Sequence, residues 1–290
     1  MGNDGTGTAR PCRRSARAAF ALSLTALLLA KALPAAAAPM RVASLTLCTD
    51  SMLFELLEDT RIVSVTHLAR DPRLSYHHAR AAQVPINHGH AEEILLSAPD
   101  LVVTGAAGYA ADLLERAGLP VLHLEEARDF EVYATNLRVL AERLERTEFA
   151  DVLLGNLARA LGSVRPPPLP VLTLLYQPNG YTPGEYAFSH AVMRHAGLHN
   201  AAADLGARAG GFVSLERLLT SGIDLLILDQ PAPGAPSLAE SGLRHPALRR
   251  LARQPQAPQT VHLPENLWTC AGSYSAQAVT RLHAIAESFH

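Results

Sequence analysis

One stretch of the chain, residues 67–90, concentrates side chains that bind metals or metal chelates. It contains His67, His77, His78, His88 and His90, together with Arg70, Arg73 and Tyr76. Imidazole is a ligand for iron, cobalt and zinc and also forms hydrogen bonds, whereas a guanidinium group pairs with carboxylates. We therefore take His67, Arg70, Tyr76 and His88 as candidate ligand-binding residues. Each histidine also fits a structural or solvent-exposed role, so the sequence leaves metal ligation undecided.

Four aromatic residues further along the chain offer flat apolar faces with polar tips. They are Tyr181, Tyr186, Trp268 and Tyr274, and all lie in or beside segments that contain glycine or proline. Such faces suit a large planar ligand. Tyr181, Trp268 and Tyr274 are accordingly candidate ligand contacts. The single tryptophan equally fits a place in the core, because tryptophan is highly buried on average.

The chain has three cysteines, and two of them, Cys48 and Cys270, are candidates for a paired role. An oxidising compartment outside the cytoplasm favours a disulfide between them. Two free thiols, or a pair of ligands for a soft metal, are the alternatives. The sequence does not choose among these three states.

A twelve-residue segment that occurs twice in the sequence places two acidic residues at matching positions. Residues 92–103 read EEILLSAPDLVV and residues 216–227 read ERLLTSGIDLLI. Each copy is typical of a short helix followed by a turn and a buried strand, and each helix begins with a glutamate, Glu92 or Glu216. A carboxylate in the first turn of a helix is favoured by the helix dipole. Glu93 is an alternative to Glu92 in the first copy.

The elements that position these residues alternate between strand and helix. Short β-branched runs predict strands at 41–47, 62–66, 100–104, 120–124, 171–175, 224–229 and 260–263. Apolar stretches between them predict helices at 51–57, 108–117, 187–196, 214–220, 244–252 and 273–288. Alternation of this kind predicts an α/β fold with two doubly wound, mostly parallel sheets, in an N-terminal lobe at 40–127 and a C-terminal lobe at 166–290.

Between the lobes, residues 129–162 contain no proline and carry apolar residues at helical spacing. The proline run that begins at Pro166 ends this pattern. The segment 128–165 is therefore predicted to be one long α-helix that joins the lobes as a stiff strut, with the ligand cleft between the lobes. Residues 231–242, rich in proline, glycine and serine, are predicted to form a surface loop.

The first 38 residues have the composition of an export signal. A basic segment with Arg13-Arg14 precedes the apolar stretch Ala18–Ala30, and the small residues Ala35–Ala38 follow. The apolar stretch is shorter than the roughly 20 residues that span a bilayer. We expect periplasmic export with cleavage near Ala37, and the sequence does not decide between Sec and twin-arginine export.

Composition excludes several classes of function for the rest of the chain. Five of the 25 Lys and Arg residues and one of the 27 acidic residues lie in residues 1–38, so the remainder carries a net charge near −6. This balance disfavours a nucleic-acid or anionic-membrane partner. The only lysine is Lys31, so neither a P-loop lysine nor a Schiff-base lysine exists beyond the signal.

In their order, these segments resemble the helical-backbone periplasmic substrate-binding proteins that serve iron-complex and vitamin B12 importers. The resemblance rests on RVASLTLCTDSMLFELL, HAEEILLSAPDLVV, the linking helix, GYTPGEYAFSHAVMRHAGLHNAA, VSLERLLTSGIDLLIL and LPENLWTCAGSY. It implies a non-enzymatic carrier without a resident cofactor, a monomer whose cargo is a ferric siderophore, haem or corrinoid. It also implies that Glu92 and Glu216 dock onto arginine pockets of an ABC-importer permease dimer in the inner membrane.

Ligands of open parallel sheets bind beyond the carboxyl ends of the strands. The cleft is accordingly expected among the loops 48–50, 67–78, 86–90, 105–109, 176–186, 210–213, 230–234 and 264–274. A second hypothesis is a free-metal-ion binding protein that uses the histidines of residues 67–90. An α/β enzyme with a His/Cys or His/Asp site ranks last, because the chain has no G-x-S-x-G, H-E-x-x-H or C-x-x-C motif.

Overall fold

The structure is a computed structural model, and it describes residues 1–2, 5, 7, 40–105, 108–165, 167–229 and 257–290. The chain divides into two compact units, Met1–Pro39 and Met40–His290. The predicted export signal, its cleavage near Ala37, the helix at 244–252 and the loops at 230–234 and 231–242 lie outside the described residues, apart from a few positions at the N-terminus.

A five-stranded parallel sheet forms the first lobe. Its strands are β1 (Val42–Ser44), β2 (Ile62–Thr66), β3 (Ile86–Asn87), β4 (Leu101–Thr104) and β5 (Val121–His123), in the order β3-β2-β1-β4-β5. Its helices are α1 (Leu47–Leu56), α2 (His78–Ala81), α3 (Ala91–Ser97) and α4 (Tyr109–Arg116). The central strands are buried along their whole length, as expected when helices cover both faces of a parallel sheet.

The segment between the lobes is two helices, and the predicted single helix over 129–162 is therefore wrong. Helix α5 spans Phe130–Arg143 and α6 spans Thr147–Gly162. Between them Glu145 adopts a left-handed conformation with φ of 57°. The Arg146 N–H donates to the Ala141 carbonyl at 2.7 Å and the Glu145 N–H to the Glu142 carbonyl at 3.3 Å. This is the hydrogen-bond pattern of a Schellman motif, which ends a helix.

Tertiary contacts stabilise the break between α5 and α6, so no local sequence pattern indicates it. The Schellman position normally takes glycine, and a glutamate there costs about 1 kcal/mol or more. Arg146 offsets this cost from outside the helix: its guanidinium donates to the Leu56 carbonyl at 3.1 Å, at the end of α1. The same group lies over the Phe149 ring, 5.0 Å from the centroid. No glycine or proline marks the site, so the helical pattern runs through it unbroken.

The second lobe contains a four-stranded parallel sheet and a short antiparallel ribbon. The strands are β6 (Val171–Tyr176), β7 (Tyr181–Thr182), β8 (Leu198–Asn200), β9 (Gly211–Phe212), β10 (Leu225–Asp229) and β11 (Gln259–Leu263). The sheet order is β11-β10-β6-β8, and β7 pairs with β9. The helices are α7 (Phe188–His195), α8 (Leu215–Leu219) and α9 (Ala276–Glu287).

One hydrophobic core runs through both lobes and the linking helices. Its fully buried members include Leu53 of α1, Leu140 of α5, Leu175 of β6 and Leu282 of α9. The predicted fold class of two α/β lobes with mostly parallel sheets is confirmed. Within the described ranges, no helix has both the length and the apolar composition needed to cross a bilayer.

Candidate ligand-binding cleft

A cavity of about 500 Å³ lies between the lobes, beyond the carboxyl ends of the strands. The first lobe lines it with residues from 46–52, 105 and 124–127, and α5 adds Asn136. The second lobe lines it with residues from 175–189 and 265–271. These segments follow β1, β4, β5, β6 and β11, so the lining comes from strand-end loops of both sheets. Such a position is typical of a ligand site in an open α/β fold.

Aromatic rings form part of the cavity wall. Tyr181 is 39% exposed and Tyr186 is 64% exposed, whereas Trp268 is only 3% exposed. Tyr181 belongs to the β7–β9 ribbon, where its ring meets Phe212 edge to face at 5.7 Å. The two predicted contacts Tyr181 and Trp268 therefore both line the cavity, one as an accessible ring and the other as part of the core behind it.

The ribbon that carries Tyr181 depends on glycine at one close approach. A Cβ atom added to Gly184 would lie 2.1 Å from the backbone nitrogen of Gly210. No side chain fits that distance, so the loop after β7 packs backbone against backbone on the loop before β9. This packing sets the position of Tyr181 and Tyr186 on either side of Gly184.

Cys48 and Cys270 are joined in a disulfide, with Cα atoms 5.1 Å apart. Both residues line the cavity. The bond connects the first turn of α1 in one lobe with the loop between β11 and α9 in the other, across a sequence separation of 222 residues. Of the three states that the sequence left open, the structure has the disulfide.

A buried glutamate of α1 ties the same two regions together. Glu55 is 9% exposed and accepts hydrogen bonds from the Ser273 backbone N–H at 2.7 Å and from the Tyr133 hydroxyl at 2.6 Å. Burial raises the pKa of Glu55. One carboxyl group thus joins the first lobe, the linking helix and the loop after β11.

Tyr76 and Tyr274, both predicted to bind ligand, contact each other beside the cavity rather than line it. Their rings stack with centroids 4.2 Å apart and planes 3° apart. The Tyr274 hydroxyl hydrogen-bonds Ser51 at 3.0 Å, and the Tyr76 hydroxyl accepts from Gln277 at 3.0 Å. The pair therefore forms a further contact between the lobes.

The other predicted ligand contacts of the first lobe also make local structural contacts away from the cavity lining. Arg70 donates to the carbonyls of Ala81 and Val84 at 3.1 and 2.8 Å. His67 stacks on His88 at 5.1 Å.

In the part of the chain that the structure describes, no group of three or more His, Cys, Asp or Glu residues is placed to hold a metal ion. His77 illustrates the structural use of the histidine-rich segment, because burial and the nearby Arg80 lower its pKa to about 4. The hypothesis of free-metal binding by residues 67–90 gains no support from these contacts.

Sequence reasoning missed the acidic side of the cavity. Glu125, Glu126 and Glu265 line it, and Asp229 lies close enough to Glu265 to affect its ionisation. Burial, followed by repulsion from Asp229, raises the pKa of Glu265 to about 7. Burial raises the pKa of Asp229 to about 6, although a hydrogen bond from Gln177 acts in the opposite direction.

A signal for these acids exists in the sequence. Glu125 and Glu126 directly follow the predicted strand 120–124, Asp229 ends the predicted strand 224–229, and Glu265 follows 260–263 by one residue. Acidic residues at the carboxyl ends of several parallel strands fall at one edge of the sheets, where ligands bind.

Asp50 positions the loop that forms the first-lobe side of the cavity. It lies in the first turn of α1, is 1% exposed, and accepts from the Thr66 backbone N–H at 3.1 Å and the Thr66 hydroxyl at 2.5 Å. These bonds join the end of β2 to the start of α1, directly after the lining residues 46–49. Burial raises the pKa of Asp50 from 3.8 to about 7.

A pH dependence of stability follows from that shift. Between pH 4 and 7 the unfolded chain has released the Asp50 proton while the folded protein retains it, so stability falls as pH rises through this window. One such group contributes at most about 1.4 kcal/mol per pH unit. The free energy of unfolding in urea should therefore decrease less from pH 5 to pH 7 in Asp50→Asn than in the wild type. Equal losses in both proteins would show that Asp50 does not titrate in this way.

The two repeat glutamates occupy matching positions. Glu92 and Glu216 lie in the first turns of α3 and α8, and both are exposed. Glu93, the alternative in the first copy, accepts from the His88 backbone N–H at 2.5 Å and from the His88 ring at 3.1 Å. Glu93 is therefore engaged within its own lobe.

Comparison with known proteins agrees with this geometry. Similar solved structures include the periplasmic heme-binding protein RhuT from Roseiflexus sp. RS-1 in its apo form, with a TM-score of 0.70, 20% identity, and coverage of 87% of this chain and 99% of that one. The heme-binding protein HutB of Vibrio cholerae has a TM-score of 0.68 and 17% identity, with coverage of 86% of this chain and 99% of that one. A periplasmic heme-binding protein from Pseudomonas aeruginosa has a TM-score of 0.64 and 20% identity, with coverage of 86% of this chain and 92% of that one. At these identities the likeness shows the fold alone.

Sequence comparison supplies the family. A search of curated proteins found no match. The sequence profile described as "Periplasmic binding protein" matches residues 42–253, which span most of both lobes. Together with two lobes around a cleft, this match confirms the resemblance carried by the sequence motifs: the chain belongs to the periplasmic binding protein family.

Proposed function

We propose that this protein is the substrate-binding component of an ABC importer, which captures a metal chelate in the cleft and delivers it to a membrane permease. The observation that carries the proposal is the cavity of about 500 Å³ between the lobes, with Tyr181, Tyr186 and Trp268 in its wall. Ligand sites for compact organic molecules have volumes of about 300–1,000 Å³. The volume of the cavity therefore falls within the range of sites that bind compact organic molecules, and it can hold most of a chelate.

The chemistry of the lining favours a chelate over a bare ion. Accessible tyrosine rings offer flat surfaces for a planar or ring-shaped ligand, and their phenol oxygens are hard donors that suit ferric iron. Haem and corrinoid are ring-shaped, and haem and ferric siderophore contain iron, so each of the three candidates meets part of this description. Several of the similar structures are heme-binding proteins, which keeps haem among the three candidates.

A carrier is also favoured over an enzyme. The two cysteines of the cavity are joined to each other, so neither is a thiolate nucleophile. The two candidate histidines, His67 and His88, contact their own lobe and do not line the cavity. A disulfide between the lobes fits an oxidising compartment, which supports export to the periplasm.

Delivery would use the repeat glutamates. We infer that a monomer docks through Glu92 on one lobe and Glu216 on the other, with one carboxylate for each half of a permease dimer. The exposed position of both residues in matching helix turns supports this assignment. The engagement of Glu93 by His88 favours Glu92 as the docking residue of the first lobe.

Native mass spectrometry of the protein purified from its own periplasm tests the cargo directly, because haem, corrinoid and ferric chelates differ in mass and in absorbance. A protein that retains no chelate and binds none on titration would contradict the proposal.

Residue Tyr181 should contribute to chelate binding. Tyr181→Ala removes an accessible ring from the cavity wall, and stacking of one aromatic ring is worth about 0.5–1.5 kcal/mol. We expect a loss of affinity for haem of up to about tenfold, measured by absorbance titration. Tyr109→Ala is the matched control, since Tyr109 is 75% exposed and does not line the cavity. An equal loss in both variants would remove Tyr181 from the site.

A further inference from the structure

Three polar residues stand side by side at the edge of the second sheet that faces the cavity. Gln177 follows β6, Asp229 ends β10 and Glu265 follows β11. Strands β6, β10 and β11 are neighbours in the sheet, and Gln177 and Glu265 line the cavity. Two carboxyl groups are therefore brought to one edge of the cleft by three adjacent strands.

Two polar atoms at this place have no partner in the described chain. The Asp229 Oδ1 atom is buried without a hydrogen bond among the described residues, and so is the indole Nε1 of Trp268. Trp268 is 3% exposed and belongs to the cavity wall. Buried polar groups are nearly always hydrogen-bonded, and one left without a partner costs about 1–3 kcal/mol. Asp229 accepts hydrogen bonds whereas the indole only donates them, so a ligand that satisfies both atoms brings a donor group to Asp229 and an acceptor atom to Trp268.

The charge of the described lining has one sign. Glu125, Glu126 and Glu265 line the cavity, and the lining residues described include no lysine, arginine or histidine. The arginine nearest in sequence to the first pair, Arg128, bonds Glu125 at 3.1 Å. Arg73, which affects Glu265, is paired with Asp71 at 2.8 Å. Among the described residues, the charged groups that line the cavity are therefore acidic.

Carboxyl groups beside aromatic faces are a typical environment for an organic cation, because the ring faces and the carboxylates both attract positive charge. We propose that the cleft selects a chelate that carries a positively charged group, such as a protonated amine, and that Glu265 and Asp229 receive this group at the cavity edge. This inference rests on the proposed function and specifies the substrate class of the same site. It distinguishes an amine-bearing chelate from one whose periphery carries carboxylates.

Binding of a cationic group at Glu265 and Asp229 should release protons, and this release can be measured. The charged groups that act on Glu265 are Asp229, Arg73 and Asp71, and those that act on Asp229 include His262. Because burial holds both carboxyl groups partly protonated near neutral pH, a bound cation should displace protons from them. Affinity for a cationic probe should rise between pH 5.5 and 7.5, and calorimetry in buffers of different ionisation enthalpy should detect proton release.

Two matched pairs of probes test the charge preference on the wild-type protein. The first pair is iron(III) protoporphyrin IX and the same ring with both propionates converted to 2-aminoethyl amides. The second is a linear ferric trihydroxamate that ends in an ammonium group and its neutral N-acetylated form. We expect the cationic member to bind about tenfold more tightly or better, the effect of one charge-assisted hydrogen bond.

The outcomes separate the two proposals. If the anionic or neutral member of a pair binds as tightly as the cationic member, the charge preference is overturned while chelate capture stands. If none of the four probes binds, the proposed function is overturned, and the preference with it.

Variants locate the preference within the cleft. Glu265→Gln should reduce the discrimination within a pair by about tenfold, and Asp229→Asn should act in the same direction and serves if the first variant does not fold. Glu142→Gln, which removes one exposed charge of α5 outside the cavity, should keep the discrimination unchanged. An effect of Glu142→Gln equal to that of Glu265→Gln would place the preference in net charge and overturn the assignment.

Discussion

Replacement of both Cys48 and Cys270 by serine is expected to lower the free energy of unfolding by about 3–5 kcal/mol. The disulfide closes a loop of 222 residues, and the entropy that a cross-link removes from the unfolded chain grows with the length of the closed loop. Guanidinium chloride unfolding of the wild type and the double variant, both lacking residues 1–38, measures the difference. A loss of this size exceeds that of most single substitutions in a protein.

Reductant provides the matched comparison. The reduced wild type should fall to nearly the stability of the double serine variant, whereas reductant should leave the variant itself unchanged. If the oxidised wild type and the variant unfold at the same denaturant concentration, the bond between the lobes does not stabilise the fold. Chelate affinity of the variant should remain measurable, because Glu55 and the Tyr76–Tyr274 stack still join the lobes.

The second large effect is expected in transport. Glu92→Ala combined with Glu216→Ala should reduce uptake of the cargo more than 100-fold while chelate affinity stays within about twofold. Loss of one partner of a desolvated charge pair at an interface typically costs about 2–5 kcal/mol, so two such losses leave little docking. Uptake of a labelled chelate by cells that depend on this protein, beside a binding titration of the purified variant, separates the two quantities.

Glu93→Ala is the control for the first lobe. It removes a carboxylate next to Glu92 that His88 already engages, and uptake should persist. If Glu93→Ala rather than Glu92→Ala impairs uptake, docking on this lobe belongs to Glu93. Normal uptake by the Glu92/Glu216 double variant would contradict the docking assignment altogether.

Regular elements with long buried patterns were predictable from the sequence, and short ones were not. Strands β2, β4, β6, β10 and β11 fall within a residue of the predicted runs. The first four are largely buried, and buried parallel strands read as continuous apolar segments, whereas β11 is mostly exposed. The strands β3, β7 and β9 contain two residues each. Their pairing is decided by neighbouring segments rather than by their own composition, so no local pattern indicates them.

The candidate site likewise contains residues that local sequence indicates and residues whose role depends on the fold. Two candidates chosen for their flat faces, Tyr181 and Trp268, line the cavity. The composition of the histidine-rich segment indicates ligand binding, but the contacts of its side chains, such as those of Arg70 with the carbonyls of residues 81 and 84, depend on how the chain folds back. The acids at the strand ends were overlooked because a single acidic residue after a strand resembles an ordinary turn residue.

Helix α1 attaches the first lobe to the second at two points. Within ten residues it provides Cys48, which is bonded to the opposite lobe, and Glu55, which holds the Ser273 loop and α5. A large rotation of one lobe away from the other would break both the disulfide and the hydrogen bonds of Glu55. On the function proposed above, we expect unloading to proceed through distortion of the cleft rim, and the short β7–β9 ribbon that carries Tyr181 and Phe212 is a rim segment held by two residue pairs.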